Sequence, residues 1–314
     1  MATEDEKREV ERIALEVATT VEQHVGHPDV KWQALIASVE GSAIHRFSDV
    51  SAAWLDLMWC LDSYRQANVP PRGVGKPANS PDRRLEAYYK GKGNWFADLL
   101  AALLGQQTSQ YLAPRAQVEG FSQDHQIDVA WPARKQDVLI CAETKVTGAP
   151  PCGDTGERGA VADYTNRRKE IKFAATDLKL GHREQREEIR NWRSWRSHAT
   201  PQTYFLWAAR LATGRVNPNT QRLAGRDRIE TLTREAKALV DTYIDGAGLF
   251  AWQLNAAGTA YEEVPLPKTE RVTSLDEMLD YIASEINRMA KTAEGQVSSA
   301  DPVAGLGQLA QDGV

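Results

Sequence analysis

The sequence predicts an α/β protein in which a mixed central sheet is flanked by helices and preceded by a helical N-terminal region. Three observations carry that expectation. Residues 203–211, TYFLWAARL, are apolar almost throughout, as in a strand covered on both faces. Residues 94–104, NWFADLLAALL, carry a helical apolar period that Gly105 is placed to stop. Between these two segments lie three short apolar runs and then a long charged helical stretch, so the order is helix, three strands, helix, strand.

From the N-terminus, residues 4–68 read as helices, with Ile13, Leu15, Val17, Val21 and Val25 at loose helical intervals. Ser48 or Asp49 is suited to cap a later helix through Trp54, Leu57, Met58 and Leu61. His24 and His27 lack acidic or cysteine partners at ligand spacing and read as a helix end before Pro28. Residues 69–82 are dense in Pro and Gly and read as a loop. Their GVGK fragment is no phosphate loop, because that pattern needs Gly and Ser or Thr where Pro70 and Pro77 stand.

The three strands are expected at 115–119, 127–131 (ended by Pro132) and 136–145. Residues 147–160 form a Gly/Pro-rich loop, and 161–198 a helix broken near Gly181. Beyond the 203–211 strand come a helix at 226–243 and a hairpin of 249–254 with 260–266. A last helix opens on the Ser274 and Glu277 capping box and runs to about Met289. The stretch from Glu294 has few large apolar groups and reads as disordered. The expected divisions are 1–82, helical region and linker; 83–225, core; 226–293, an extension of that core; and 294–314, tail.

The composition is that of a soluble protein, with 42% hydrophobic and 26% charged residues among 314. No stretch approaches the roughly 18 apolar residues of a membrane span, and the charged start MATEDEKREVERIALEV is no signal peptide. Cys60, Cys141 and Cys152 form no CxxC, which fits a reduced, cytoplasmic protein without a structural zinc site. The net charge of -5 argues against a simple polyanion binder. It is unevenly spread, however: residues 165–230 hold 15 Lys and Arg against 7 Asp and Glu. Such a stripe suits phosphate contact, or is simply a solvated helix surface.

The chemistry-bearing signal lies at 126–148, QIDVAWPARKQDVLICAETKVTG. An apolar run ends in Glu143-Thr144-Lys145, and the apolar run before it opens with Asp128. Other acid-x-Lys triplets, at Asp5, Asp177 and Glu235, lie in polar helical surroundings and read as solvated charges. Along a strand Glu143 and Lys145 share a face, and antiparallel pairing of the two runs would bring Asp128 to them. Unpaired charges there cost several kcal/mol each, as a rough measure. Either a lysine–carboxylate salt bridge at the sheet edge compensates, or a hard divalent ion such as Mg²⁺ or Mn²⁺ does.

Asp128, fourteen intervening residues and Glu143-Thr144-Lys145, following the NWFADLLAALL helix, together resemble the PD-(D/E)xK superfamily of restriction-endonuclease-like nucleases. The resemblance covers roughly 120 residues and implies an α-β-β-β-α-β core. It implies that Asp128 and Glu143 ligate Mg²⁺ or Mn²⁺ with the backbone carbonyl of Thr144, and that Lys145 positions the attacking water. Asp98 is the candidate for a further acid on the first helix. Ile127 stands where the family usually has Pro. His125 is either a second base or a surface loop residue.

Contacts to DNA are expected from Tyr164, Asn166, Arg167, Arg168 and Lys169, and from Arg186, Arg190 and Arg193, which with Arg183 recur on one helix face. Trp192 and Trp195 share another face and read as core. No Gly-x-Ser-x-Gly elbow is present. The expected function is a metal-dependent endonuclease on double-stranded DNA: a type II restriction enzyme acting as a homodimer, with no membrane partner. The alternatives are an activator-gated or nonspecific nuclease of an anti-phage defence system, and a non-catalytic DNA-binding module on the same fold.

Overall fold

A computed structural model describes residues 4–299 except 43, 68–80, 134, 136–137, 153–155, 163, 189–199, 215–227, 268 and 270–271. The N-terminal helices are α1 (Glu4–Val25), α2 (Pro28–Glu40) and α3 (Ser51–Ala67). His24 lies in the last turn of α1, a helix end as expected, whereas His27 opens the next helix: its Nδ1 accepts from the Asp29 amide at 3.2 Å and caps α2, with Pro28 in the first turn. A short 3₁₀ turn at Phe47–Asp49 leads into α3.

The next helix, α4 (Pro81–Thr108), is longer than its apolar period suggested. It passes through Gly105 and ends where Ser109 turns to a φ of 53°, so Gly105 does not stop it. Strands β1 (Ala113–Glu119), β2 (Asp124–Trp131) and β3 (Ile140–Thr147) follow. Next come α5 (Tyr164–Glu188), β4 (Gln202–Arg210), α6 (Ile229–Val240) and β5 (Gly246–Leu254). Short β6 (Tyr261–Glu263) and β7 (Val272–Ser274) precede α7 (Leu275–Ser299).

The predicted break at Gly181 is absent, since α5 runs through it to Glu188; the rest of that predicted helix lies outside the described residues. The capping box at the start of α7 is formed, with the Ser274 amide donating to Glu277 at 3.0 Å and the Glu277 amide to Ser274 Oγ at 3.3 Å. That helix continues past Met289 to Ser299, which takes in the first part of the expected tail; residues 300–314 lie outside the described residues.

The fold is α/β, with an open seven-stranded mixed sheet in the order β1-β2-β3-β4-β5-β6 and β7 beside β5. Strands β1, β2 and β3 are antiparallel neighbours, whereas β3, β4 and β5 run parallel. One face of the sheet packs against α3, α4 and α7 through Trp54, Phe96, Leu103, Phe250 and Leu279, and α2 packs on α3 and α4. The other packs against α5 and α6 through Ile171, Trp207, Leu232 and Leu249. The N-terminal helices therefore share one core with the sheet. Phe47 lies edge-on to Phe250 at 4.8 Å between ring centroids, and Trp32 stacks on Trp95 at 5.6 Å.

Two features of β2 place the site. Its ladder with β3 covers only Val129↔Ala142, Ala130↔Cys141 and Trp131↔Ile140. Its ladder with β1 continues to Glu119↔Asp124. In addition, Val129 joins the core on the α4 side, while Ile127 joins a smaller core with Leu178 of α5. In a flat strand two residues so spaced share a face, so β2 turns over at Asp128. Arg115, opposite in register, takes a φ of 54° at the same level. The two strands fork there, and β3 runs on beside β4 alone.

Candidate active site

Asp128 stands in the fork. Its carboxylate replaces the backbone partner that β3 loses: the Thr144 amide donates to Oδ2 at 2.8 Å, and Thr144 Oγ1 donates to the same oxygen at 3.1 Å. Lys145 Nζ donates to Asp128 Oδ2 at 3.3 Å and to Glu143 Oε2 at 3.1 Å. The strand period puts Glu143 and Lys145 on one face and Thr144 on the other. Asp128, between the strands, reaches both. Each of the three charged side chains is only 20–22% exposed.

Burial pushes the Glu143 carboxyl above its ordinary range; the charge of Asp128 adds to that, and the Lys145 ammonium opposes it. For Lys145, burial alone would favour the neutral amine. The neighbouring Glu143 and Asp128 outweigh burial and hold the ammonium above its ordinary value. At neutral pH this lysine is therefore a cation and a hydrogen-bond donor, and no base.

Among the described residues no group of three His, Cys, Asp or Glu side chains is spaced to hold a metal ion. The fork supplies two carboxylates. An extended residue turns its N–H and C=O to the same side, so the Thr144 carbonyl faces the edge that Asp128 occupies. Mg²⁺ commonly takes one or two carboxylates and fills its remaining positions with water and substrate phosphate. Such a sparse set of hard oxygens, with no His or Cys among them, is of the kind Mg²⁺ or Mn²⁺ takes and lacks the ligands of a structural zinc site.

The other expected residues are variously placed. Asp98, on α4, is bound to Arg115 Nη1 at 2.5 Å, one strand away from the fork, and makes no bond to the three central side chains. Tyr164 is turned inward and 7% exposed; it stacks on Trp207 at 5.2 Å and donates its hydroxyl to the Glu235 carbonyl at 2.8 Å. It anchors the start of α5 and presents nothing to a ligand. Asn166 and Lys169 are exposed. Arg167 pairs with Glu170 at 2.8 Å, and Arg168 lies 3.8 Å from Glu235. Arg186 lies on α5, with its side chain outside the described residues, as are Arg190 and Arg193 altogether.

Two readings of single residues are corrected. His125 lies on β2 and is buried, not in a surface loop, and its Nε2 meets Asp177 Oδ2 at 2.7 Å. Asp177 is likewise no solvated helix charge: its side chain is 4% exposed. The apolar stripe Ile171, Ala174, Ala175 and Leu178 faces the sheet and leaves Asp177 at its margin. That periodicity was the available signal, and it cannot reveal a partner supplied by another strand.

The sequence also gave no sign of a buried polar network at the far ends of β3 and β4. Arg210 donates to Glu157 at 2.7 Å and to the Tyr261 hydroxyl at 3.1 Å, and Tyr261 donates to Asp62 of α3 at 2.5 Å. Nearby, Lys92 of α4 donates to the Gly148 carbonyl at 3.2 Å.

No protein-family model, curated protein or solved structure matches this chain. Among the described residues no helix is long and apolar enough to cross a membrane.

Proposed function

We propose that this chain is a metal-dependent endonuclease of the PD-(D/E)xK type that hydrolyses phosphodiester bonds in double-stranded DNA, acting as a homodimeric type II restriction enzyme. One observation carries the reading: Lys145 Nζ lies within 3.3 Å of the carboxylates of both Asp128 and Glu143, which come from two strands that part at that point. The element order α4-β1-β2-β3-α5-β4 around them agrees with that family's core.

In this reading Asp128 and Glu143, with the Thr144 carbonyl, hold Mg²⁺ or Mn²⁺. The bound ion would supply Lewis-acid stabilisation of charge on the phosphate. Lys145, held as a cation, donates to the attacking water and offsets charge growing on the phosphoryl oxygens. The part-buried fork keeps the three groups in a medium where such charges act more strongly than in water. Exposed Asn166 and Lys169 at the start of α5 are suited to neighbouring phosphates.

The bonds from Lys145 to both carboxylates also favour a second reading, a DNA-binding module whose fork is a self-neutralised salt bridge. Digestion of a mixed DNA substrate with Mg²⁺, followed by sequencing of the ends, separates the possibilities. Discrete fragments that vanish with Asp128→Ala or Lys145→Ala are expected. Heterogeneous ends, or cutting only with an activator, would indicate the defence-effector variant. Retarded but intact DNA with every divalent ion, unchanged by either substitution, would leave only the binding module.

A further inference from the structure

The fork needs β2 to leave β3, although a regular ladder would satisfy more backbone groups. On the side where β2 has left β3, the tip of the β1–β2 hairpin is bound to α5. Asp177 of α5 accepts there from the Ser122 amide at 3.0 Å and from Ser122 Oγ at 2.7 Å through Oδ1. Its Oδ2 meets His125 Nε2 at 2.7 Å, and its own carbonyl accepts from the Phe121 amide at 3.1 Å. The His125 ring lies edge-on to Phe173, one turn earlier on α5, at 5.5 Å. Gly120 completes the fit, because a Cβ there would stand 2.2 Å from Asp177 Oδ2 and 2.7 Å from the Gln123 carbonyl. A second tether joins the tip to the loop after β2, where the Glu119 amide donates to the Lys135 carbonyl at 2.9 Å and Lys135 pairs with Asp124 at 2.6 Å.

The two tethers differ in strength. The Lys135 pair is half exposed and of the kind that contributes little. In the Asp177 cluster the His125–Asp177 pair is buried and charge-assisted, and breaking it leaves a buried polar group without its partner. We propose that Asp177 and His125 are positioning residues for the candidate site: by pinning the hairpin to α5 they hold β2 turned over at Asp128 and so set the fork in which Asp128, Glu143 and Lys145 meet. The consequence for catalysis rests on the nuclease reading. The geometric claim does not.

The bond from the Thr144 amide to Asp128 reports the fork directly. Hydrogen exchange, resolved by residue, is compared for wild type, Asp177→Asn and Gly120→Ala. The two substitutions disturb the pin from opposite sides, one on the helix and one on the hairpin. Thr144 should exchange about tenfold faster or more in both variants. Ala142, in the ladder opposite Val129, should stay protected as in wild type. In cleavage assays with Mg²⁺ the variants should lose about tenfold in kcat with KM little changed, since the reacting groups are misplaced while the DNA surface is intact. Unchanged Thr144 protection, or equal loss at Thr144 and Ala142, would overturn the proposal in favour of a purely structural pin. A wild type that cuts no DNA would instead overturn the nuclease reading and leave the exchange result to judge the pin.

Discussion

Lys145 is the counter-charge of two carboxylates that each keep only about a fifth of their surface in water. Removing its ammonium with Lys145→Met leaves Asp128 and Glu143 facing one another, and breaking a buried pair in this way costs about 3 kcal/mol. Stability in chelator should fall by about that amount, as read by denaturant unfolding. Added Mg²⁺ or Mn²⁺ should restore much of the loss, because a divalent cation then neutralises the same carboxylates. Restoration by monovalent salt to the same extent would mean that the carboxylates form no divalent site. The residue scale is also where sequence reading succeeds best. An acid and a lysine alternating at the end of an apolar run are visible in one dimension, because strand period alone puts them on one face.

Between elements, the pin joining the β1–β2 hairpin to α5 has a pH signature. Burial alone would raise the Asp177 carboxyl, but the bonds from His125 and Ser122 hold it below its ordinary range. A carboxyl with a depressed native value contributes stability that is present above about pH 4 and is lost as pH falls through the native value. The stability difference between wild type and Asp177→Asn should therefore be full at neutral pH and shrink below about pH 4, measured by urea unfolding across pH. A difference that stays constant down to about pH 2.5 would contradict the charge-assisted character of the pin. The helical period of α5 did not disclose this role. Asp177 lies at the margin of the buried stripe, and its partners are some fifty residues upstream, at Ser122 and His125.

For the whole molecule, the division of residues 1–82 from the rest marks a change in composition and not a boundary in packing. Trp32, Phe47 and Trp54 lie in the same core as Phe96, Phe250 and Leu279. Asp276 of α7 accepts from the Phe47 amide at 2.6 Å, and Tyr261 reaches Asp62 of α3. A fragment lacking residues 1–80 would expose the apolar face of α4 and leave the Tyr261–Arg210–Glu157 chain without Asp62. It should aggregate or show no cooperative melting transition. Cooperative melting of the fragment at the temperature of the full chain would show that the N-terminal helices are a separate unit.

The sequence by itself determined the order of the core elements from α4 to β4, the capping box of α7 and the grouping of Glu143 with Lys145. All of these depend on local period, turn chemistry or spacing along one segment. Only the tertiary structure decided that β2 turns over at Asp128, that Asp98 is held by Arg115, that Tyr164 faces inward, and that His125 and Asp177 meet. Each of these depends on which groups from distant segments are left without backbone partners once the sheet forms. That is a property of the assembled ladder, and no single stretch of chain contains it.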